Sequence, residues 1–387
     1  MRSRTPGVLF LFFLAVVGVT GLYLQPPHRT GLQDRLTLVP VAFSEIPGWV
    51  QVNPIAALAA FRRSCSVVLN KAPNLTLGGY AGEAADWQPV CRRALNGDAA
   101  RRFFETNFIP LRVNGEALFT GYYEPLLRGS RTRHGAYQTP VYALPRDLVS
   151  VDLGTFRAGW KGERIAGRVS GQHLVPYETR AGIDAKPPSA DVLFYGDDPV
   201  AVFFLHIQGS GRVALDDGTI LRVSYAGQNG RPYTAIGGTL IRSAALERKS
   251  VSMQTIRDWL KRRPEAAQRV METDESFVFF RESPVSDASL GSVGTQGVAL
   301  TPLASVAVDP NYHALGVPFF IDTTTPDGQT MQRLAVSQDT GGAIRGPARA
   351  DIFFGFGAAA EEAAGKMKAT GQLFVLLPKA LAGRVAQ

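Results

Sequence analysis

Three aspartates near the end of the chain have surroundings that could do proton chemistry. Asp309, Asp339 and Asp351 fall in SVAVDPNYHALGVPFFIDTTTPDGQTMQRLAVSQDTGGAIRGPARADIFFGFG, residues 305–357, each at an edge between a β-like run and a turn. Asp322 and Asp327 of the same stretch lie in or beside the polar TTTPDG turn and read as solvated. A lone Asp is most often a cap or turn residue, so the informative feature is a difference between neighbours. Asp339 precedes Thr340, Gly341 and Gly342, small residues that let backbone N–H groups approach a carboxylate and hold it ionised. Asp351 precedes Ile352, Phe353 and Phe354. If that run is a buried strand, the charged form is poorly hydrated and the pKa rises. Two carboxyls pushed apart in this way supply a proton donor beside a fixed anion. Asp351 is the candidate acid and Asp339 its ionised neighbour. The competing reading pairs Asp351 with Arg345 or Arg349 at a β-bulge.

VAVDP, QDTGGAIRG and ADIFFGFG, in that order, resemble the C-terminal three-aspartate (3D) module of the MltA family, the membrane-bound lytic murein transglycosylases A. FTGYYEP at 119–125, FFLHIQGSGRV at 203–213, VSYAGQNGRPYTAIG at 223–237 and SVGTQGVALTPLASVAVD at 292–309 extend the resemblance over roughly Phe119 to Leu377. The resemblance implies a mainly β fold with a few helices. A discontinuous double-psi β-barrel would be built from residues 40–125 and 276–387, with a second β-domain inserted at 126–275 and a glycan groove between them. It implies substrate contacts from Thr120, Tyr122, Gln208, Ser210, Tyr225, Ala226 and Asn229, and a structural, supporting role for Asp309. The residues alone leave the Thr120, Tyr122 and Tyr123 cluster open between core packing and sugar recognition, because aromatic faces beside hydroxyls serve both.

The implied reaction is lytic cleavage of the β-1,4 bond between N-acetylmuramic acid and N-acetylglucosamine in peptidoglycan. Ordinary glycosidases need one carboxyl to protonate the leaving oxygen and another to activate water or attack the sugar. In a lytic transglycosylase the C6 hydroxyl of the muramyl residue attacks its own C1 and leaves a 1,6-anhydro end. One residue therefore serves as acid and then as base: Asp351, with Asp339 holding geometry and stabilising positive charge at C1.

Elements must position these groups, and the 387 residues suffice for two domains with separate cores. Hydrophobic residues at 45%, charged residues at 19%, Gly 40 and Pro 25 favour a globular, turn-rich, β-rich chain. Arg2 and Arg4 before the apolar run Val8 to Leu24 mark residues 1–25 as a signal peptide or N-terminal membrane anchor, hence export to the periplasm. No cysteine precedes Cys65, so any membrane association would come from that run itself. Cys65 and Cys91, the only two cysteines, form an expected disulfide in an exported protein. Asn53 and Pro54 start a helix whose Ile55, Leu58, Phe61, Cys65 and Val68 share a face, and a second helix is expected over Asp98–Asn107, the two tied by the disulfide. Val200–Ile207 reads as an apolar strand, and Arg212–Leu215 with Thr219–Tyr225 as a hairpin around Asp216, Asp217 and Gly218. Helix is expected over Ser252–Thr273, interrupted at Pro264, and around Ala358–Ala369, stopped by Gly371 before a last strand, Leu373–Leu377.

The five histidines form no H-x-x-x-H pair and no dinucleotide fingerprint appears, so neither metal nor cofactor is expected. A net charge of +8 invites a nucleic-acid partner. Export argues against one, and the same field suits peptidoglycan, whose peptides carry carboxylates. The expected partners are glycan strands of peptidoglycan, with cell-wall synthesis proteins as further candidates, and the expected state is a monomer. A second reading from another class remains: a wall-binding module without catalysis, as in expansin-like proteins that share this barrel type.

Overall fold

Asn53 accepts from the Ile55 amide at 3.1 Å and sets the start of helix α1 (Ile55–Leu69), whose Leu58, Phe61, Cys65 and Val68 are buried. The computed structural model describes residues 36–385 except 98, 161–162 and 284–286, so the apolar N-terminal run lies outside the described residues. Strand β1 (Leu38–Pro40) precedes α1, and two more helices follow it, α2 (Ala84–Leu95) and α3 (Ala100–Asn107). The disulfide Cys65–Cys91 is present, yet it ties α1 to α2, a helix the sequence reading did not foresee, and not to the Asp98–Asn107 segment. Pro89 lies inside α2, a residue that in a sequence argues against a continuous helix.

After α3 the chain enters β2 (Phe108–Val113) and β3 (Ala117–Glu124). It then leaves for strands β4 (Leu126–Ser130), β5 (Thr139–Tyr142), β6 (Val149–Asp152), β7 (Arg164–Ser170) and β8 (His173–Pro176). Next come α4 (Arg180–Ala185), β9 (Val192–Gly196), α5 (Pro199–Gln208), β10 (Ser210–Leu215) and β11 (Ile220–Gln228). Helices α6 (Ile236–Arg242), α7 (Met253–Arg262) and α8 (Pro264–Met271) lead to β12 (Val278–Ser283). Strands β13 (Ser305–Val308), β14 (Pro318–Thr324), β15 (Thr330–Thr340) and β16 (Arg349–Phe356) are followed by α9 (Gly357–Lys366), β17 (Lys368–Pro378) and α10 (Lys379–Val385).

Strands β17, β14, β15, β13, β16 and β3 hydrogen-bond in that order, and β3 returns to β17, closing a six-stranded barrel. Two of its pairs, β13 with β15 and β3 with β16, are parallel while the rest are antiparallel. The barrel is of the double-psi kind that the resemblance implies. Phe119, Val306, Val308, Phe319, Val336, Ala350 and Ile352 fill it as one buried cluster with α1 and α2. A second sheet runs β12-β11-β10-β4-β9-β5, and β6, β7 and β8 form a third.

Two expectations fail for identifiable reasons. Val200–Ile207 is helix, not strand: Asp198 caps it through the Val200 and Ala201 amides, Pro199 occupies its first turn and Gly209 ends it in the left-handed conformation. The segment is apolar all round because Val202 and Leu205 face one core cluster while Val200, Phe203 and Phe204 face another. Gly371 does not stop α9, which ends at Lys366; it lies inside β17, where a side chain would sit 2.1 Å from the Asp322 carbonyl oxygen. Asp322 stands on β14 directly beside the turn, half-buried, and accepts from Gln332 at 3.0 Å.

Where β3 passes into the second sheet, Glu124 is fully buried between the guanidiniums of Arg212 and Arg222, each 3.0 Å away. Both arginines also hold the Leu290 carbonyl, at 3.0 and 2.7 Å. Charge-assisted bonds therefore pin the outgoing strand, the β10–β11 hairpin and the returning chain at one point.

Candidate active site

Side chains alternate along the barrel strands, so the neighbours of core residues point outward. Val306 and Val308 belong to the core cluster and Ala307 between them does not; the same holds for Ala350 and Ile352 around Asp351. Cross-strand register completes a row. Ala307 is paired on one side with Asp339 and on the other with Asp351, and Asp351 is paired in turn with Thr120. Two strand spacings separate the aspartates, about 10 Å between Cα atoms. Both carboxyls thus share the outer face of the barrel beside the point where β3 leaves it.

Asp351 accepts a short hydrogen bond at Oδ1 from the Thr120 hydroxyl. Burial pushes its pKa up to about 6, against the pull of that bond and of Arg349, and with help from the negative charge of Asp339. The arginine pairing considered above does not form. Arg349 donates to Thr120 Oγ1 at 3.0 Å and to the Leu118 carbonyl at 3.1 Å, while Arg345 faces Asp309 at 4.0 Å.

Asp339 is held differently from the expectation. Its donors are the Thr295 amide (2.9 Å), the Thr295 hydroxyl (2.8 Å), the Thr340 amide (2.9 Å) and the Tyr122 hydroxyl (3.1 Å), with no glycine amide among them. Burial still outweighs these donors and raises its pKa. Thr295 was not singled out from the sequence, although it sits inside the SVGTQG motif. The preceding Gly294 was the available signal, because a side chain there would lie 2.7 Å from the Gln338 carbonyl and 3.3 Å from Asp339 Cβ. Gln338 itself is buried and donates to the Ala60 carbonyl and Ser64 Oγ of α1, both at 2.8 Å. In this way α1 braces the strand that carries Asp339.

Tyr122 packs on Phe353 with ring centroids 5.2 Å apart, and burial followed by the charges of Asp339 and Asp351 raises its hydroxyl pKa well above normal. Gln208 ends α5 and accepts from the Tyr123 amide at 3.1 Å. Ser210 opens β10 opposite Ser224, and Tyr225 and Ala226 stand at a bulge in β11, with Tyr225 45% exposed. Asn229 is different. Its amide donates to the Glu178 and Glu275 carbonyls at 2.8 Å, accepts from the Phe277 and Arg231 amides at 2.9 and 3.3 Å, and is 1% exposed. No polar atom of that side chain is left for a ligand, so its place is in the frame. Asp309 accepts from the Asn311 amide at 3.1 Å and the Gly346 amide at 2.8 Å, tying the end of β13 to the loop before β16. Beside it, His313 bridges the Tyr80 hydroxyl and the Pro347 carbonyl, and burial pushes its pKa down to about 4.

A cavity of about 560 Å³ lies elsewhere, between α5, α7, α8 and β5, lined among others by Tyr142, Arg180, Phe203, His206 and Met271. No residue of the carboxyl row reaches it. Among the described residues no group of three or more His, Cys, Asp and Glu side chains is placed to hold a metal ion.

Fold and site together define a double-psi barrel protein with a carboxyl pair on its outer face, both with a pKa raised by burial, that of Asp351 to about 6. The sequence profile of the MltA specific insert domain matches residues 118–281, and that of the 3D domain matches residues 304–377. The chain is 33% identical over 279 residues to membrane-bound lytic murein transglycosylase A of Escherichia coli K12, covering 70% of this chain and 68% of that protein. It is 31% identical over 270 residues to the Vibrio cholerae protein of the same name, covering 68% of this chain and 66% of that one. The match thus spans about two thirds of these relatives' length. Among solved structures, a membrane-bound lytic murein transglycosylase from Agrobacterium tumefaciens superposes with a TM-score of 0.81 at 32% identity, over 90% of this chain and 99% of that one. MltA from Neisseria gonorrhoeae gives 0.75 at 32% identity, over 89% and 95%. E. coli MltA with bound chitohexaose gives 0.62 at 25% identity, over 90% and 93%. The chain belongs to the MltA family.

Proposed function

We propose that this protein is a peptidoglycan lytic transglycosylase, a carbon–oxygen lyase that cuts the β-1,4 bond between N-acetylmuramic acid and N-acetylglucosamine. The observation that carries the reading is Asp351: a carboxyl poised at about 6, anchored at one oxygen by Thr120 and facing out of the barrel beside Asp339. Family membership and the chitohexaose-bound relative support a glycan as the substrate. Asp351 protonates the glycosidic oxygen as the C1–O bond breaks, and positive charge develops at C1. The C6 hydroxyl of the same sugar attacks C1, and its proton returns to Asp351, so no water is consumed. Asp339, whose four donors favour its charged form against burial, stabilises the developing charge when ionised. Ser210, Tyr225 and Ala226 line the approach to the glycan, with Tyr122 and Gln208 holding the strand that carries Thr120.

Mass spectrometry of sacculus digests tests this, because anhydro and reducing ends differ by one water. Anhydro products from the wild type are expected, with at least a ~100-fold loss in Asp351→Asn, the low end of what general acids contribute, and with binding to sacculi retained. Muropeptide release by Asp351→Asn at the wild-type rate would reject the assignment of the acid. Retention on sacculi without any release by the wild type would favour the wall-binding module instead.

A further inference from the structure

Arg349 lies two residues before the candidate acid and does not touch it. Its Nη1 donates to Thr120 Oγ1 at 3.0 Å and to the carbonyls of Leu118 (3.1 Å) and Ala350 (3.3 Å), which fixes the guanidinium between β3 and β16. Thr120 in turn contacts Asp351 Oδ1. A threonine hydroxyl has one proton and two lone pairs, and a guanidinium has protons only. With Arg349 on a lone pair, the Thr120 proton cannot point back at Arg349, and Oδ1 of Asp351 is the acceptor in reach. An Oδ1 that already receives this proton has no use for one of its own, so the acidic proton resides on Oδ2.

Resting on the transglycosylase reading, we propose that Arg349 is a positioning residue that acts through Thr120 to reserve Oδ2 of Asp351 for the proton that is given to the glycosidic oxygen and taken back from the C6 hydroxyl. The same oxygen then serves both half-steps, and the sugar need not shift between them. The Oδ2–H bond breaks as the glycosidic oxygen gains its proton and the C1–O bond opens. When the C6 oxygen bonds to C1, its proton re-forms the Oδ2–H bond, so atoms and charge balance without a co-reactant. Arg349 also acts on the ionised form. Its positive charge and the Thr120 bond both favour the carboxylate, opposing the burial that protonates it. Without Arg349, Thr120 has a free lone pair, the proton divides between the two oxygens, and the neutral carboxyl is favoured.

Arg349→Met, which keeps the length and loses the charge and the donors, is the test. The fall of kcat/KM at alkaline pH, which reports deprotonation of the acid in the free enzyme, should move to higher pH by roughly half a unit or more. At the optimum kcat should drop roughly tenfold with KM within about twofold. Thr120→Val should move the same limb in the same direction, Thr120→Ser should restore it, and the kcat losses in the Arg349→Met/Thr120→Val double variant should fall short of the product of the single losses, because one hydroxyl carries the effect. An alkaline limb that stays in place or moves to lower pH, or kcat losses that multiply, overturns the proposal. Titration of Asp351 by carbon-13 NMR of its labelled carboxyl needs no turnover. A pKa rise in the Arg349→Met/Thr120→Val double variant that falls short of the sum of the single rises upholds the action through Thr120 even if sacculi yield no anhydro product; additive rises, or an unchanged or lowered pKa in Arg349→Met, refute it.

Discussion

Thr295→Val should narrow the pH range of the enzyme from the acid side. The substitution keeps the amide that donates to Asp339 Oδ1 at 2.9 Å and removes the hydroxyl that donates to the same oxygen at 2.8 Å. A hydrogen bond to a charged acceptor contributes about 1.5–3 kcal/mol, so the ionised form of Asp339 loses roughly ten- to a hundredfold in population against the protonated form. The sign follows from the proposed roles. Asp339 must be ionised to meet charge at C1, so activity climbs as pH rises through its pKa. Asp351 must be protonated, so activity falls above about 6. Burial already raises the Asp339 pKa and the Thr295 bonds oppose that rise; taking one away raises it further and carries the acid limb of kcat/KM toward the alkaline limb. The bell becomes narrower and lower, with an alkaline limb displaced little. The assay is kcat/KM for release of anhydro-muropeptides from sacculi across pH 4–8, in wild type, Thr295→Val and Thr295→Ser, the last keeping the hydroxyl. An acid limb that stays put in Thr295→Val, or moves to lower pH, would show that Asp339 is not the ionised partner.

Two structural predictions accompany it. Replacing both Cys65 and Cys91 by Ala opens a 26-residue loop, which costs about 3.5 kcal/mol in the chain-entropy model; over some 350 structured residues that lowers Tm by about 5 °C. Calorimetry reads the shift, and an unchanged Tm would contradict the bracing role of α1 and α2. Asn229→Ala strips hydrogen bonds from the Glu178 and Glu275 carbonyls and from the buried Phe277 amide, at a cost of about 1–3 kcal/mol, so Tm and protease resistance should both fall. Weakened glycan binding with Tm intact would instead return this residue to the sugar-binding surface.

What could be read from the sequence depended on whether the cause was local. The apolar run after Asp351 is its own environment, so the upward pKa shift was visible in ADIFFGFG. The environment of Asp339 is not local: two of its four donors come from Thr295, 44 positions away, and another from Tyr122 on β3. Only barrel closure brings them there. The same limit hid the Arg349–Thr120 contact, since the two strands are paired in parallel across 229 positions of chain. Helix α5 was misread for a different reason. Its composition satisfies two cores at once, which mimics a buried strand, and the deciding signals were the flanking Asp198-Pro199 and Gly209. The β10–β11 hairpin was legible because its turn chemistry lies within the turn itself.

The row Asp339, Ala307, Asp351, Thr120 also explains how two carboxyls stay different on one surface. Adjacent strands would bring their oxygens close enough to share a proton, and the pair would then titrate as one coupled unit. The strand β13 keeps them apart, and at the crossing point it presents only the methyl group of Ala307. Each carboxyl is instead bound by partners of its own, Thr295, Thr340 and Tyr122 on one side and Thr120 on the other. No hydrogen bond among the described residues joins them. They remain near enough for the charge of Asp339 to raise the pKa of Asp351. When ionised, Asp339 thus favours protonation of its neighbour without competing for the proton, which is the asymmetry that the proposed mechanism, with one residue acting first as acid and then as base, requires.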